Sequence, residues 1–211
     1  GDIVHFPEGG AKFSADIIGA APIERIDIFN GLDHIETIRP YRKEELGNRI
    51  RVVWEGAEYR GRFRQVIWDG SAQLSDNKIV DASPINFFNR DKTLDRVGDS
   101  GLAWRALTTG NIGGFDIWVE DPYGGTLKLE TPLVKCGVPL EDISYEDEVF
   151  DNSGILPRFL KIFRLPTENT HQAFSFERAI GLKNQGDNAI YIRLTQEDGT
   201  LAWTSPIYIY R

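Results

Sequence analysis

The chain has 211 residues, of which 41% are hydrophobic and 27% charged, so it is long enough for one large or two small domains and too apolar for intrinsic disorder. Three histidines, one cysteine and no methionine leave almost no material for an all-protein zinc site or a disulfide framework. A formal charge of −8 argues against a nucleic acid partner, and no stretch approaches the roughly 18 to 20 apolar residues that cross a bilayer or opens the chain as a signal segment.

Most of the chain alternates with a period of two, the pattern of strands whose successive side chains face opposite sides of a sheet. Residues 13–18 and 23–29 open it as two strands, and Asn30-Gly31 follows as a turn signal because both residues tolerate positive φ. Residues 49–55 and 62–69 then read as a hairpin, each ending in a Trp-acid-Gly tripeptide. Further strands are expected at 78–82, 85–89, 102–107, 114–120, 126–131 and 133–138, and after them at 159–164, 173–180, 189–196 and 206–210. Residues 141–151 hold six carboxylates in eleven positions and read as a solvated loop or short helix. About a dozen short strands separated by Gly, Pro, Asn and Asp clusters imply an all-β antiparallel sandwich, with an immunoglobulin-like or jelly-roll-like frame and a long elaborated insertion. One domain over residues 1–211 is the expected organisation. The alternative is a frame from 1–40 and 140–211 with an insertion over 41–139.

Catalytic constellations are incomplete. Gly98-Asp99-Ser100-Gly101 looks like the nucleophile segment of chymotrypsin-like proteases, but it lies too early in the chain and Leu102 stands where a second glycine belongs. It reads as a polar turn. His5, His34 and His171 are scattered, none at ligand spacing from another histidine or from Cys136. Asp91, Asp95 and Asp99 offer oxygens for calcium without the glycine-anchored loop of an EF-hand. Cys136, in an apolar run, reads as a small buried hydrophobe.

The strand over 114–120 is more informative. One face carries Phe115, Ile117 and Val119, and the other carries Asp116, Trp118 and Glu120. An exposed indole between two acids makes a platform for a sugar, the ring stacking on C–H faces while the carboxylates accept hydroxyl hydrogen bonds. Paired carboxylates also raise glycoside hydrolysis, which depends on a separation that sequence does not provide. The simpler reading is that a loop covers Trp118 and the acids pair with a basic neighbour, for which Arg60, Arg62 and Arg64 are available on one strand face.

The two ends of the chain carry its most specific text. Residues 189–199, with Tyr191, Arg193, Thr195, Gln196, Asp198 and Gly199, lead into Ala202-Trp203-Thr204-Ser205-Pro206-Ile207. This resembles the closing segment of a family of PHP-like metal-dependent hydrolases. Residues 21–31 are similar to the strand and turn that begin the family's β-sandwich, and the middle resembles its larger members through Tyr59-Arg60-Gly61-Arg62, Trp68-Asp69-Gly70, Ile85-Asn86-Phe87, Thr108-Thr109-Gly110-Asn111 and residues 131–136. The family's histidine-rich metal site, with its early His-x-His motif, has no counterpart here, so none of its catalytic residues maps onto this chain.

The absence of an initiating methionine also suggests a processed or excised piece. The resemblance implies a C-terminal, non-catalytic accessory domain that packs on an upstream catalytic domain of the same parent and shapes access to it. Metal ions are expected only in that domain, and no cofactor here. It further implies that Ile26 and Ile28 share a core with residues 190–194 and 207–209, and that Trp203 plugs that core. The other readings are a carbohydrate- or ligand-binding module using Asp116, Trp118 and Glu120, and an autonomous hydrolase.

Overall fold

The protein is described here by a computed structural model covering residues 1–5, 11–61, 64–151, 156–184 and 186–210. Strands make up 57% of it and no α-helix occurs among the described residues, so the chain is all-β. The packing divides it into two units: Gly1–Arg42 with Asn169–Arg211, and Lys43–Glu168. Both ends thus build one frame around a central insertion. The second boundary falls at 168/169 instead of near 140, because the strands between those positions pair within the central unit.

The terminal unit contains β1 (Ile3–His5), β2 (Ala11–Ile18), β3 (Ile23–Asn30) and β4 (Asp33–Ile38) from the start of the chain. Four strands follow from its end. A six-stranded sheet takes the order β1-β20-β18-β3-β4, using the strands Asn188–Gln196 (β18) and Ile207–Tyr210 (β20), with Leu201–Trp203 (β19) also paired to β18. Its pairings are antiparallel except β1 with β20. A ribbon of β2 and Ala173–Ile180 (β17) forms the second layer. Ile26, Ile28, Ile190, Ile192, Leu194 and Ile209 meet Ala11, Phe176 and Ile180 from the ribbon in one buried cluster, as the end-strand pattern implies. Asn30 and Asp33 face each other across a two-residue turn in which Gly31 takes φ +63, a conformation that a Cβ would oppose. Behind that turn the fully buried Asn188 accepts hydrogen bonds from the Asn30 amide and the Lys183 N–H, so its burial leaves no oxygen unsatisfied.

The central unit is a sandwich of two five-stranded sheets. One has the order β15-β16-β5-β12-β8: Glu148–Asp151, Arg158–Leu165, Arg49–Gly56, Ile112–Val119 and Ile79–Ile85. The other has the order β14-β13-β7-β10-β9: Lys135–Pro139, Thr126–Glu130, Gly70–Ser75, Gly101–Trp104 and Leu94–Val97. Val66–Ile67 (β6) and Leu107–Thr108 (β11) form a short pair beside them. Val52, Phe115, Ile117 and Ile162 from the first sheet interdigitate with Leu74, Leu102, Leu127 and Leu129 from the second. At the centre Trp54 stacks on Trp104 with ring centroids 5.5 Å apart and 10° between planes, and Phe115 meets it edge-on.

Three sequence expectations are corrected. Residues 49–55 do not form a hairpin with 62–69: β5 pairs with β12 and β16, and among the described residues of the second segment only Val66–Ile67 is strand. A long apolar strand gains more from two neighbours in a sheet centre than from one hairpin partner. Residues 141–151 are only in part the expected solvated loop or short helix: a 3-10 turn over Leu140–Asp142 opens the segment, but Ile143 enters the core and Glu148–Asp151 is an edge strand. Trp203 does not plug the terminal core. It lies opposite Arg193 across the β18–β19 pair, on the face away from Ile192 and Leu194, and 59% of it is exposed.

Candidate functional site

The platform of Asp116, Trp118 and Glu120 dissolves into separate environments. Strand register explains this. Asp116 is paired across the sheet with Arg51, and Trp118 with Arg49. Gly113 and Gly114 let the neighbouring strand approach closely; a Cβ at Gly114 would lie 2.3 Å from the Val52 carbonyl oxygen. The Asp116 carboxylate is buried and accepts four hydrogen bonds: Arg49 Nε and Nη2 at 3.0 and 2.6 Å to Oδ2, Arg51 Nε at 2.7 Å to Oδ1, and Arg51 Nη2 at 2.8 Å to Oδ2. Burial alone would raise its pKa, but the charges and hydrogen bonds of Arg51 and then Arg49 outweigh it and hold the carboxyl below the usual range. An acid clamped this way is a structural anion, not a proton donor.

Trp118 is half-buried, with the Arg49 guanidinium 5.1 Å from its ring centroid and its indole N–H donating to the Thr167 carbonyl at 2.9 Å. Glu120 lies beyond the end of β12 and is exposed. The basic partner is thus Arg49 with Arg51, and neither Arg60 nor Arg64. Arg60 lies in a bend, Arg64 has φ +53 outside any strand, and Arg62 lies outside the described residues.

A second buried cation, Arg164, organises the end of the same sandwich. Its guanidinium donates to the carbonyls of Ile143, Gly47, Pro122 and Leu140, tying three chain segments to one side chain. Sequence reasoning missed it because a single arginine in an apolar strand carries no partner signal when its acceptors are backbone carbonyls.

The residues considered for nucleophilic or metal chemistry are engaged singly. Gly98-Asp99-Ser100 is the turn between β9 and β10, and Ser100 Oγ accepts a hydrogen bond from the Gln73 amide at 2.6 Å. His34 sits 3.5 Å from Asp27 and 3.1 Å from the Thr37 hydroxyl, while His5 stacks on Tyr210. Burial, with the Glu148 charge, pushes the Cys136 thiol up to about 11, which disfavours the nucleophilic thiolate. Among the described residues no group of three or more His, Cys, Asp or Glu side chains is placed to hold a metal ion.

The resemblance-bearing end segments converge on one surface. Residues 21–31 supply β3 and residues 189–199 supply β18, which pair antiparallel through Ile26↔Leu194 and Ile28↔Ile192. Ile207 and Ile209 pack with the core, which sends Tyr208 and Tyr210 to the other face. Cross-strand register places Ile3 beside Tyr208, His5 beside Tyr210 and Trp203 beside Arg193 there. Tyr191 and Phe29 stack at 5.1 Å on that face, with Arg193 5.5 Å from the Phe29 ring. Ile3, Trp203, Tyr208 and Tyr210 are 75%, 59%, 45% and 45% exposed. A solvent-facing sheet surface is ordinarily polar, whereas this one carries a cluster of exposed rings. Asp27 anchors it: burial raises its pKa, but Arg25, Thr37 and Arg193 together bring it below the usual range.

No helix is long and apolar enough to cross a membrane among the described residues. Comparison with protein-family models, with curated proteins and with solved structures finds no match for this chain.

Proposed function

We propose that this chain is a non-catalytic accessory domain of a PHP-like metallohydrolase, seated on the parent's catalytic domain through the aromatic outer face of the six-stranded sheet. The observation that carries the reading is the exposed surface of Ile3, Trp203, Tyr208 and Tyr210, which lies on the sheet whose β3 and β18 come from the segments that resemble the family's sandwich. An outward tryptophan in a family-like motif has a role that core packing does not supply. Burying these rings against a second domain would remove apolar area at about 25 cal/mol per Å².

The reading frame upstream of Gly1 is then expected to encode a His-x-His-bearing domain. Hydrogen exchange on the longer product should show β19 and β20 protected relative to this chain alone, and Trp203→Ala should abolish the difference. An upstream frame without such a domain, or equal exchange in the two proteins, overturns the proposal.

A further inference from the structure

A cavity of about 350 Å³ opens in the central unit beside β12, within the size range of small-ligand sites. Trp54 forms its inner wall, and Gly113 forms the adjoining stretch of β12. A Cβ added at Gly113 would lie 2.8 Å from Trp54 Nε1, so the missing side chain keeps the space before the indole N–H clear. That N–H is buried and has no acceptor among the described residues, although Trp54 is only 1% exposed. Buried donors are rarely left this way, and Trp54 is itself one of the residues that line the cavity. The other two buried indoles of the aromatic core are satisfied within the protein, Trp68 by the Thr108 hydroxyl and Trp104 by the Trp68 carbonyl.

The rim supplies charge and a ring. Lys92 and Arg105 both line the cavity, and neither forms an ion pair with a carboxylate among the described residues, in a chain whose net charge is −8. Phe88 lines it too and is 87% exposed. Its position follows from the turn that ends β8, where Asn86 takes φ +59 and donates to the Ile112 carbonyl; Phe87 then packs on the core while Phe88 does not. Asn89 and Thr109 add amide and hydroxyl groups. Two cations and a buried N–H call for an anionic acceptor, an exposed phenyl ring suits the C–H face of a pyranose, and the amide and hydroxyl rim suits its hydroxyls.

We propose that this cavity binds an acidic sugar, a hexuronate residue whose carboxylate lies toward Lys92 and Arg105 and whose ring packs on Phe88. The site belongs to the central unit and does not depend on the accessory-domain reading.

Titration calorimetry on the intact chain with the methyl glycosides of glucuronate and galacturonate, alongside methyl glucoside and sodium acetate, tests it. At least one uronate should bind more tightly than both controls. Arg105→Gln and Lys92→Gln should each weaken that binding about tenfold or more. Phe88→Ala should weaken the uronate and leave acetate unchanged. The Trp54 indole proton resonance, assigned from Trp54→Phe, should shift on addition of the uronate. Because Trp54→Phe alters the core, the surface variants carry the decision. No uronate binding, equal binding of methyl glucoside or acetate, or binding indifferent to Lys92, Arg105 and Phe88 overturns the proposal.

Discussion

Replacing Asp116 by Asn tests the central electrostatic claim of the fold. The carboxylate accepts four hydrogen bonds from Arg49 and Arg51, whose side chains are 7% and 1% exposed. Asparagine keeps one oxygen but turns an N–H₂ toward the guanidinium donors, and it removes the buried anion that Arg49 and Arg51 share. Breaking a buried ion pair from one side costs about 3 to 5 kcal/mol, and the exposed side of this network offers little water to compensate. Urea unfolding followed by tryptophan fluorescence suits the measurement, because four of the five tryptophans lie in the central unit.

The same network sets a pH dependence. The folded pKa of Asp116 lies below its unfolded value of about 3.9, so the carboxylate's contribution is complete above that value and is lost as pH falls toward the folded one. The stability gap between wild type and Asp116→Asn should therefore be widest near neutrality and shrink in acid. Replacing all three residues by Leu and Met should cost less than Asp116→Asn alone, since no charge is then stranded. An Asp116→Asn midpoint equal to wild type at pH 7 would refute the reasoning.

The remaining predictions concern single side chains. Trp203→Ala in this chain should change the unfolding free energy by no more than about 0.5 kcal/mol, as expected for an exposed ring; a loss of the size of a core truncation, about 3 to 5 kcal/mol, would return Trp203 to the interior. Cys136 should react with iodoacetamide far more slowly at pH 8 than a free cysteine and gain rate as pH rises toward 11. Labelling at the free-thiol rate would contradict its burial.

Much of the strand content was readable locally. Phe115, Ile117 and Val119 alternate with polar partners, and all three are fully buried in the central core as that alternation demands. Asn30-Gly31 and Gly98-Asp99-Ser100 marked turns because positive φ is cheap for glycine and tolerable for asparagine. The strands β1, β4, β7, β9, β15 and β19 were missed; in β1, β9, β15 and β19 three or four residues carry too little periodicity to rise above a loop. The cavity beside β12 was invisible for a different reason. Trp54, Phe88, Lys92, Arg105 and Gly113 are dispersed over 60 positions of the chain and converge only through sheet pairing.

Alternation is a property of neighbours in sequence, governed by where successive Cβ atoms point, and for that reason composition and pattern were enough to establish an all-β chain with few metal ligands. Partner choice depends on contacts between residues far apart. Asp116 meets Arg49 and Arg51 across more than sixty intervening residues, and Trp203 turns outward because β19 pairs with β18 in one register and not the one shifted by a residue. Those decisions belong to the tertiary structure: they set Trp118 against Arg49 and bring Trp54 to the wall of a cavity.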